Sequence, residues 1–256
     1  MVRPKKHLGQ HFLLDHNIAR KIAGSLSVPA SCRIVEIGPG TGILTAYLEE
    51  AFPKQLTLIE IDDESIPVLQ ERFPRLAPAI VHGDFLKLHV SDFLPYPSAL
   101  VGNLPYNISS QILFRVLENR DAVVQVVCML QKEVAERIIS PPGNKDYGIL
   151  SVLLQAYYQA EYLFTVGEKV FLPPPRVKSA VIRLNRNNRK LSLTEHETLL
   201  RIVKTAFNQR RKTLHNALKS MPELQLDENI RGKRAEQLSV EDYLDLMRKV
   251  VNMPRK

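Results

Sequence analysis

Only two cysteines occur in the 256 residues, Cys32 and Cys128. Both lie in apolar, strand-like runs, so we expect buried thiols of a reducing compartment and no disulfide framework. No run of about 18 or more apolar residues is present, which excludes a transmembrane helix of ordinary length. No apolar segment of the signal-peptide kind follows the basic residues near the N-terminus. We therefore expect a cytoplasmic protein without a membrane partner.

The chain also lacks internal repeats and low-complexity tracts. With 45% hydrophobic and 24% charged residues, it has the composition of a globular protein and not of a disordered one. Its net charge of +8 is uneven, since residues 1–189 carry a net +3 and the much shorter segment 190–256 carries a net +5. A basic surface favours polyanionic partners such as nucleic acid or acidic lipid.

Between residues 33 and 185, short β-branched runs alternate with helical patterns. The strands are predicted at 33–37, 56–60, 79–82, 99–102 and 123–130, and the helices at 42–51, 66–73, 108–117 and 132–139. Such alternation predicts an α/β fold, a mostly parallel sheet with helices on both faces. Ligands of these folds bind at the C-terminal ends of the strands.

The pattern becomes entirely helical after residue 190. A capping box of Thr194 and Glu197 is expected to open a helix over 195–207. A second capping box, Ser239 with Asp242, precedes apolar residues at helical spacing.

The polar stretch 185–189 has the composition of a linker. We therefore place a domain boundary near residue 188. It separates a larger domain, 1–188, from a small all-helical domain, 189–256.

A glycine-rich turn, residues 36–42, follows the first predicted strand. Glycines such as Gly38 and Gly40 allow the backbone to turn sharply and to approach a ligand closely. Glu60 ends the next strand, 18 residues after Gly42, where a carboxylate accepts hydrogen bonds from ribose hydroxyls. The spacing is G-x-G-x-G and not G-x-G-x-x-G, so the motif indicates a nucleoside cofactor and leaves S-adenosylmethionine and NAD as alternatives.

The third strand ends at Gly83-Asp84-Phe85. The Asp84 carboxylate is placed to accept a hydrogen bond from a cofactor's adenine amino group, and Phe85 to pack against the ring. Gly-Asp is also a turn signal. The pair is informative because it follows two other strand ends that carry ligand-binding residue types.

The fourth strand leads into Asn103-Leu104-Pro105-Tyr106, which we interpret as the catalytic motif. Adenine N6 is a poor nucleophile because its lone pair is delocalised into the ring. The Asn103 oxygen and the Leu104 carbonyl, presented by Pro105, would accept hydrogen bonds from N6 and draw it toward tetrahedral geometry. Tyr106 would stack on the target base, a contact of about 1–3 kcal/mol. The motif therefore indicates transfer of a methyl group to an exocyclic amine, with in-line positioning as the main source of rate enhancement.

These motifs resemble the KsgA family of ribosomal RNA adenine dimethyltransferases over nearly the whole chain. The matching segments are Lys6–Asp15, the glycine-rich turn, Glu60, Asp84, the catalytic motif, Phe171–Ser179, Ala206–Leu214 and Arg234–Ser239. The resemblance implies a Rossmann-like methyltransferase domain followed by the helical domain. Many family members have Asn where this chain has His11.

The resemblance also implies which residues contact S-adenosylmethionine, whose product is S-adenosylhomocysteine. They are His11, Leu13, Gly38, Glu60, Asp84 and Asn103, and we add Gly40, Ile61 and Phe85 from the strand-end motifs. Phe171 would close the target pocket opposite Tyr106. The implied catalytic residues are thus Asn103, Leu104, Pro105, Tyr106 and Phe171.

The implied substrate is a pair of adjacent adenosines in a hairpin loop near the 3′ end of small-subunit rRNA, each dimethylated at N6. Loop bases are splayed out more readily than paired bases of an A-form helix. The expected partner is this rRNA within a pre-30S particle, bound by a monomer. The alternatives are a large-subunit rRNA adenine methyltransferase of the antibiotic-resistance type, a DNA adenine methyltransferase and a ribosome-assembly factor whose catalysis is incidental.

A basic run, Arg210-Arg211-Lys212, lies in the helical domain. We interpret it as an RNA phosphate contact in preference to a solvated helix face. His7, His11 and His16 have no Cys or carboxylate pattern to complete a metal site, so no metal is expected.

Overall fold

The central element of the fold is a seven-stranded sheet. A computed structural model describes residues 2–89 and 93–252. The nine strands of these residues are β1 (Phe12–Leu13), β2 (Arg33–Ile37), β3 (Leu56–Glu60), β4 (Ile80–His82), β5 (Ser98–Asn103), β6 (Val123–Gln131), β7 (Tyr158–Val166), β8 (Phe171–Leu172) and β9 (Ser179–Arg186). The seven-stranded sheet has the order β4-β3-β2-β5-β6-β9-β7, and β1 and β8 form a separate antiparallel pair.

The predicted mostly parallel α/β architecture is confirmed. β4, β3, β2, β5 and β6 pair in parallel, and β9 runs antiparallel to β6. Each of the five strands predicted from the sequence overlaps an observed strand. The parallel strands read as nearly continuous apolar runs because both of their faces are covered; all five residues of β3 are buried.

The described residues contain ten α-helices. They are α1 (His16–Ala23), α2 (Ile43–Ala51), α3 (Ser65–Arg72), α4 (Ser109–Glu118), α5 (Lys132–Ile139), α6 (Ile149–Tyr157), α7 (Leu193–Asn208), α8 (Leu214–Ala217), α9 (Glu228–Arg231) and α10 (Val240–Val251). Among these described residues, no helix combines the length and the apolar composition that crossing a bilayer requires.

Contacts between Cα atoms divide the chain into two compact units. The first runs to Ala135 and includes Ala160–Arg186, and the second joins Glu136–Gln159 to the residues from Asn187 onward. The core of the first unit includes Ile22, Ile34, Leu48 and Leu58, each fully buried. Cys32 and Cys128 are buried free thiols. The domain boundary near residue 188 stays a prediction. A single boundary there does not account for residues 136–159, which group with the residues from Asn187 onward.

The second unit has its own aromatic core. The rings of Phe207 and Tyr243 stack with centroids 6.2 Å apart, and the Tyr157 hydroxyl lies 2.8 Å from Nδ1 of the buried His196. The capping box of Ser239 and Asp242 is present as predicted.

The predicted capping box at the start of α7 is wrong. Ser192, not Thr194, is the N-cap, and its partner is Glu195. The Ser192 hydroxyl accepts from the Glu195 amide at 3.3 Å, and the Glu195 carboxylate accepts from the Ser192 amide at 2.7 Å. The helix therefore begins at Leu193, two residues before its predicted start.

Candidate active site

A cavity opens at the C-terminal ends of β2, β3, β4 and β5. It is lined by residues of the N-terminal segment, the strand ends and the start of α4, namely Leu8, Gly9, Gln10, His11, Phe12, Ile37, Gly38, Gly40, Ile59, Glu60, Ile61, Gly83, Asp84, Phe85, Asn103, Leu104, Pro105, Tyr106, Ile108 and Ile112. Four neighbouring strands of one sheet end here, so motifs far apart in the sequence meet at one edge.

The glycine-rich turn forms one wall through its backbone conformation. Gly38, Gly40 and Gly42 have φ values of +66°, +56° and +79°, which L side chains rarely adopt. A Cβ at Gly40 would lie 2.8 Å from the Phe12 ring, whereas a Cβ at Gly38 would meet no atom within 4 Å. Gly38 therefore presents bare backbone to open space in the cavity.

The Glu60 carboxylate is nearly fully buried and organises the neighbouring backbone. One oxygen accepts from the amides of Ile61 and Asp62 at 2.8 and 2.9 Å, and the other accepts from the Gly40 amide at 2.9 Å. Burial raises its pKa, and these backbone hydrogen bonds oppose that rise. The oxygen bonded to Gly40 retains an acceptor site, because a carboxylate oxygen accepts two hydrogen bonds.

Asp84 and Phe85 lie just after β4 and line the cavity beside the end of that strand. The Asp84 carboxylate accepts from the Leu86 amide at 3.0 Å, which fixes the turn. Phe85 is buried and packs against Phe93, with ring centroids 5.8 Å apart. Ile61 lines the cavity while remaining 44% exposed, so its side chain lies at the edge.

Asn103 ends β5 with its side chain on the cavity. Its Nδ2 donates a 2.7 Å hydrogen bond to the His11 carbonyl. If the amide were flipped, its Oδ1 would face the His11 carbonyl oxygen, and both atoms are acceptors. This contact therefore fixes the positions of Nδ2 and Oδ1. The Oδ1 atom is thereby left as an acceptor.

The residues after Asn103 complete the opposite wall. The Leu104 amide donates to the Met129 carbonyl at 2.9 Å, which holds the turn against β6. The Tyr106 hydroxyl forms a short hydrogen bond with the Ser179 hydroxyl. Burial raises the pKa of Tyr106, so the phenol stays protonated at neutral pH. Pro105 and Tyr106 line the cavity together with Leu104.

His11 lies over Tyr106. Their rings are stacked, with centroids 5.2 Å apart and planes 29° apart. The imidazole Nδ1 is 2.7 Å from the Pro173 carbonyl. The N-terminal segment therefore contributes both a ring and a backbone carbonyl to the site.

Two of the residues implied by the resemblance lie outside this cavity's lining. Phe171 is 2% exposed and belongs to the apolar core, where it pairs across the β1–β8 ladder with Leu13. Leu13 lines a smaller adjoining cavity together with Glu36, Gly38 and Asn103. Their predicted contacts with cofactor and base stay predictions.

Sequence reasoning assigned no role to Glu36 or Asp62. Glu36 is 1% exposed and accepts a 2.7 Å hydrogen bond from the Thr45 hydroxyl. Burial raises its pKa to about 8, so this carboxyl is protonated at neutral pH. The position of Glu36 inside the glycine-rich motif was the one available signal, whereas nothing local distinguished Asp62.

The basic run of the second unit is partly engaged within that unit. The Arg210 guanidinium lies 3.5 Å from the Glu236 carboxylate and donates to the Lys145 carbonyl. Arg211 and Lys212 are exposed. Within 2–89 and 93–252, no group of three or more His, Cys, Asp or Glu side chains is arranged to bind a metal ion.

Known proteins resemble this chain over almost its full length. Residues 1–251 match the model of a family described as ribosomal RNA adenine dimethylase. A ribosomal RNA small subunit methyltransferase A from Cytophaga hutchinsonii is 52% identical over 248 residues, which cover 96% of this chain and 96% of that protein.

Two solved structures share the fold. A dimethyladenosine transferase from Plasmodium falciparum has a TM-score of 0.78 and 25% identity, covering 92% of this chain and 96% of that one. The 23S rRNA methyltransferase ErmE has a TM-score of 0.72 and 27% identity, covering 94% of this chain and 100% of that one. By the sequence of residues 1–251, the chain belongs to the ribosomal RNA adenine dimethylase family.

Proposed function

We propose that this protein transfers methyl groups from S-adenosylmethionine to N6 of two adjacent adenosines near the 3′ end of small-subunit rRNA. The adenosines lie in a hairpin loop, and each becomes N6,N6-dimethyladenosine. Family membership and the name of a relative 52% identical support the reaction and the small-subunit substrate. The observation that carries the mechanism is the orientation of the Asn103 amide.

The residues around the glycine-rich turn fit S-adenosylmethionine. The remaining acceptor site of Glu60 would receive a ribose hydroxyl, and Asp84 would receive the adenine amino group. Gly38 and Gly40 allow the cofactor to lie against the backbone, with His11, Leu13, Ile61 and Phe85 as flanking contacts. The bound cofactor supplies an electrophilic methyl group on a sulfonium.

Asn103 would bind the target amine on the acceptor side of its amide. Because Nδ2 is bonded to the His11 carbonyl, Oδ1 is the atom available to accept a hydrogen bond from N6. The Leu104 carbonyl would take the second N6 hydrogen. Together they draw the nitrogen lone pair out of conjugation with the ring. The nitrogen is cationic after it has accepted the methyl group, and it would lose one proton to water. One N6 hydrogen then remains, and a single acceptor suffices for the second transfer.

The aromatic residues would position the target base. Tyr106 offers a ring whose hydroxyl is tied to Ser179, so the ring is fixed before the base arrives. Pro105 removes a backbone donor and fixes the turn. Phe171 would contact the base opposite Tyr106, and in this structure its side chain packs in the apolar core.

RNA binding is the role we propose for the basic run of the second unit. Arg211 and Lys212 are exposed cations suited to phosphate oxygens, and Arg210 also serves contacts within the unit. We further propose that a cytoplasmic monomer acts on the pre-30S particle and thereby contributes to small-subunit biogenesis.

Mapping of N6,N6-dimethyladenosine in rRNA tests this function. Cells without the gene should lack both dimethylated adenosines in small-subunit rRNA, and a plasmid copy should restore them. A plasmid carrying Asn103→Ala should not. Unchanged small-subunit modification in cells without the gene would contradict the proposal.

The similarity to ErmE favours a second candidate, an adenine methyltransferase of large-subunit rRNA. The same mapping experiment separates the two, because it reads both rRNAs. Loss of a methylated adenosine only from large-subunit rRNA would favour this candidate. Purified protein offered naked small-subunit rRNA and assembled particles then identifies the form of the substrate.

A further inference from the structure

A buried acidic residue, Asp62, connects the cofactor side of the cavity to the N-terminal segment. It is 1% exposed and forms an ion pair with Lys5. Its other oxygen accepts from the Gln10 side chain at 3.3 Å and from the Ser65 hydroxyl at 2.9 Å. Burial alone would raise the pKa of Asp62, but the hydrogen bonds from Lys5, Ser65 and Gln10 lower it, so the residue is a carboxylate at neutral pH.

Lys5 and Gln10 are also bonded to each other, which closes the segment into a loop. The Lys5 amide donates to the Gln10 side-chain oxygen at 2.8 Å, and the Gln10 amide lies 3.5 Å from the Lys5 carbonyl. Both ends of this loop therefore contact Asp62. The next residue is His11, whose carbonyl accepts from Asn103.

We propose that Asp62, through Lys5 and Gln10, is a positioning residue that sets the orientation of the Asn103 amide by way of the His11 carbonyl. The inference rests on the proposed function, because it assigns a purpose to Asn103 Oδ1. Asp62 and Lys5 touch neither base nor cofactor in this account. Instead, they fix the position of the His11 carbonyl, which accepts the hydrogen bond from Asn103 Nδ2.

The orientation matters because the two ends of a carboxamide have opposite polarity. With Nδ2 bonded to His11, Oδ1 accepts from the target amine. If the carbonyl moves away, Nδ2 loses its partner and the amide is free to rotate. A rotated amide would turn its donors toward N6, whose hydrogens they repel. Displacement of about 1 Å in such a constellation costs up to a hundredfold in rate.

The cofactor wall does not depend on this loop to the same degree. Glu60 is held by the amides of Gly40, Ile61 and Asp62, and Asp84 is held by its own turn. Loss of the Asp62 ion pair should therefore reduce the rate of methyl transfer more than the affinity for S-adenosylmethionine.

Lys5→Met is the test variant, with Lys6→Met as its matched control. Lys5 is partly buried against Asp62, whereas its neighbour Lys6 is exposed and undergoes the same loss of charge. Lys5→Met is preferred to Asp62→Asn because Asp62 is buried and its replacement endangers folding. Single-turnover transfer at saturating cofactor and rRNA, calorimetric affinity for S-adenosylmethionine and the melting temperature are measured for each.

Lys5→Met should lower the single-turnover rate about tenfold or more, with a smaller change in cofactor affinity. Because it leaves the buried Asp62 carboxylate without its cation, it should also lower the melting temperature, and the rate is therefore measured well below that temperature. Lys5→Arg should recover most of the rate, since it restores the cation facing Asp62. Lys6→Met should match the wild type. The inference is overturned if Lys5→Met and Lys6→Met behave alike, or if cofactor affinity falls as much as the rate. A wild-type protein that methylates no rRNA would instead refute the proposed function.

Discussion

The Asn103 side chain and the His11 main chain, 92 residues apart in sequence, are joined by a 2.7 Å hydrogen bond from Nδ2 to the carbonyl oxygen. One residue ends a strand of the central sheet, and the other lies in the N-terminal segment. The bond gives the amide a fixed direction before any substrate binds. Catalysis by in-line transfer depends on such preorganisation, since the geometry is set without reorganisation during the reaction.

Replacing Asn103 with Ala should nearly abolish methyl transfer. We expect a rate loss of roughly 10²–10³-fold, as for removal of one preorganised polar group from other active sites. Affinity for S-adenosylmethionine should largely persist, because Glu60, Asp84 and the glycine-rich turn remain. A labelled-methyl assay and calorimetry measure the two quantities. Asn252→Ala, at an exposed position, is the control, and near-normal turnover of Asn103→Ala would contradict the assignment.

Gly38 and Gly143 form a matched pair for testing the cavity wall. Their φ values are +66° and +86°, and a Cβ at either would meet no atom within 4 Å. Alanine at either position should therefore cost about 1–2 kcal/mol of stability through backbone strain. Of the two, Gly38 alone lines the cavity.

Gly38→Ala alone should therefore weaken binding of S-adenosylmethionine. Denaturant unfolding and calorimetry on both variants measure stability and affinity. Equal affinities for the cofactor in Gly38→Ala and Gly143→Ala would show that the cofactor does not approach this turn.

Glu36 should make stability depend on pH. Its pKa is about 8 in the folded protein against an ordinary value of 4.5. Between these values the folded state binds one more proton than the unfolded state. The contribution of Glu36 to the free energy of unfolding is therefore fully present below pH 4.5. It is lost, at about 1.4 kcal/mol per pH unit, as the pH rises from 4.5 toward about 8.

Glu36→Gln isolates this contribution, because the carboxamide keeps an acceptor for the Thr45 hydroxyl and does not titrate. The difference in unfolding free energy, wild type minus variant, should fall steadily between about pH 5 and pH 8. Urea unfolding across that range measures it. A difference that stays constant with pH would mean that Glu36 is ionised in the folded protein.

Neutralising Arg211 and Lys212 should weaken rRNA binding and reduce its salt dependence. Removal of one phosphate contact makes the slope of log affinity against log salt shallower by about 0.7–0.9. Arg248→Gln with Lys249→Gln is the control, since these cations already pair with Asp245 and Asp227. Binding titrations over a range of salt concentrations give the slopes. Equal slopes for the two double variants would show that the basic run does not contact the rRNA phosphates.

The parallel strands could be predicted because burial on both faces leaves a continuous apolar signal, as in Leu56–Glu60. β7 gave no such signal. It begins at Tyr158, directly after α6 ends at Tyr157, without a Gly or Pro to mark the change. The two-residue strands β1 and β8 are shorter than any periodic pattern, so only their pairing in the folded chain identifies them.

The start of α7 shows why a local motif can mislead. Ser192-x-x-Glu195 and Thr194-x-x-Glu197 both have the capping-box pattern. The first is the one formed. Leu193 is 68% exposed, so no buried apolar residue marked the first turn.

Much of the candidate site followed from the sequence because parallel strands end at one edge. The glycine-rich turn, Glu60, Asp84 and Asn103 line one cavity. The family resemblance implied that His11 of the N-terminal segment belongs to the site. The ion pair between Lys5 and Asp62 did not follow, because these residues are 57 apart in sequence. No local pattern reveals such a contact.

The close approach of β2 and β5 limits how the specificity of this pocket could be redesigned. A Cβ at Gly102 would lie 2.5 Å from the Ile37 carbonyl oxygen, so any side chain there must force the two strands apart. Asn103 and Gly38 are the next residues on these two chain segments, and the gap between them would widen with the strands. A mutant library that seeks to change the specificity of the cavity should therefore leave Gly102 unchanged and vary other lining residues, such as Ile108 at the N-cap of α4 and Ile112 within α4.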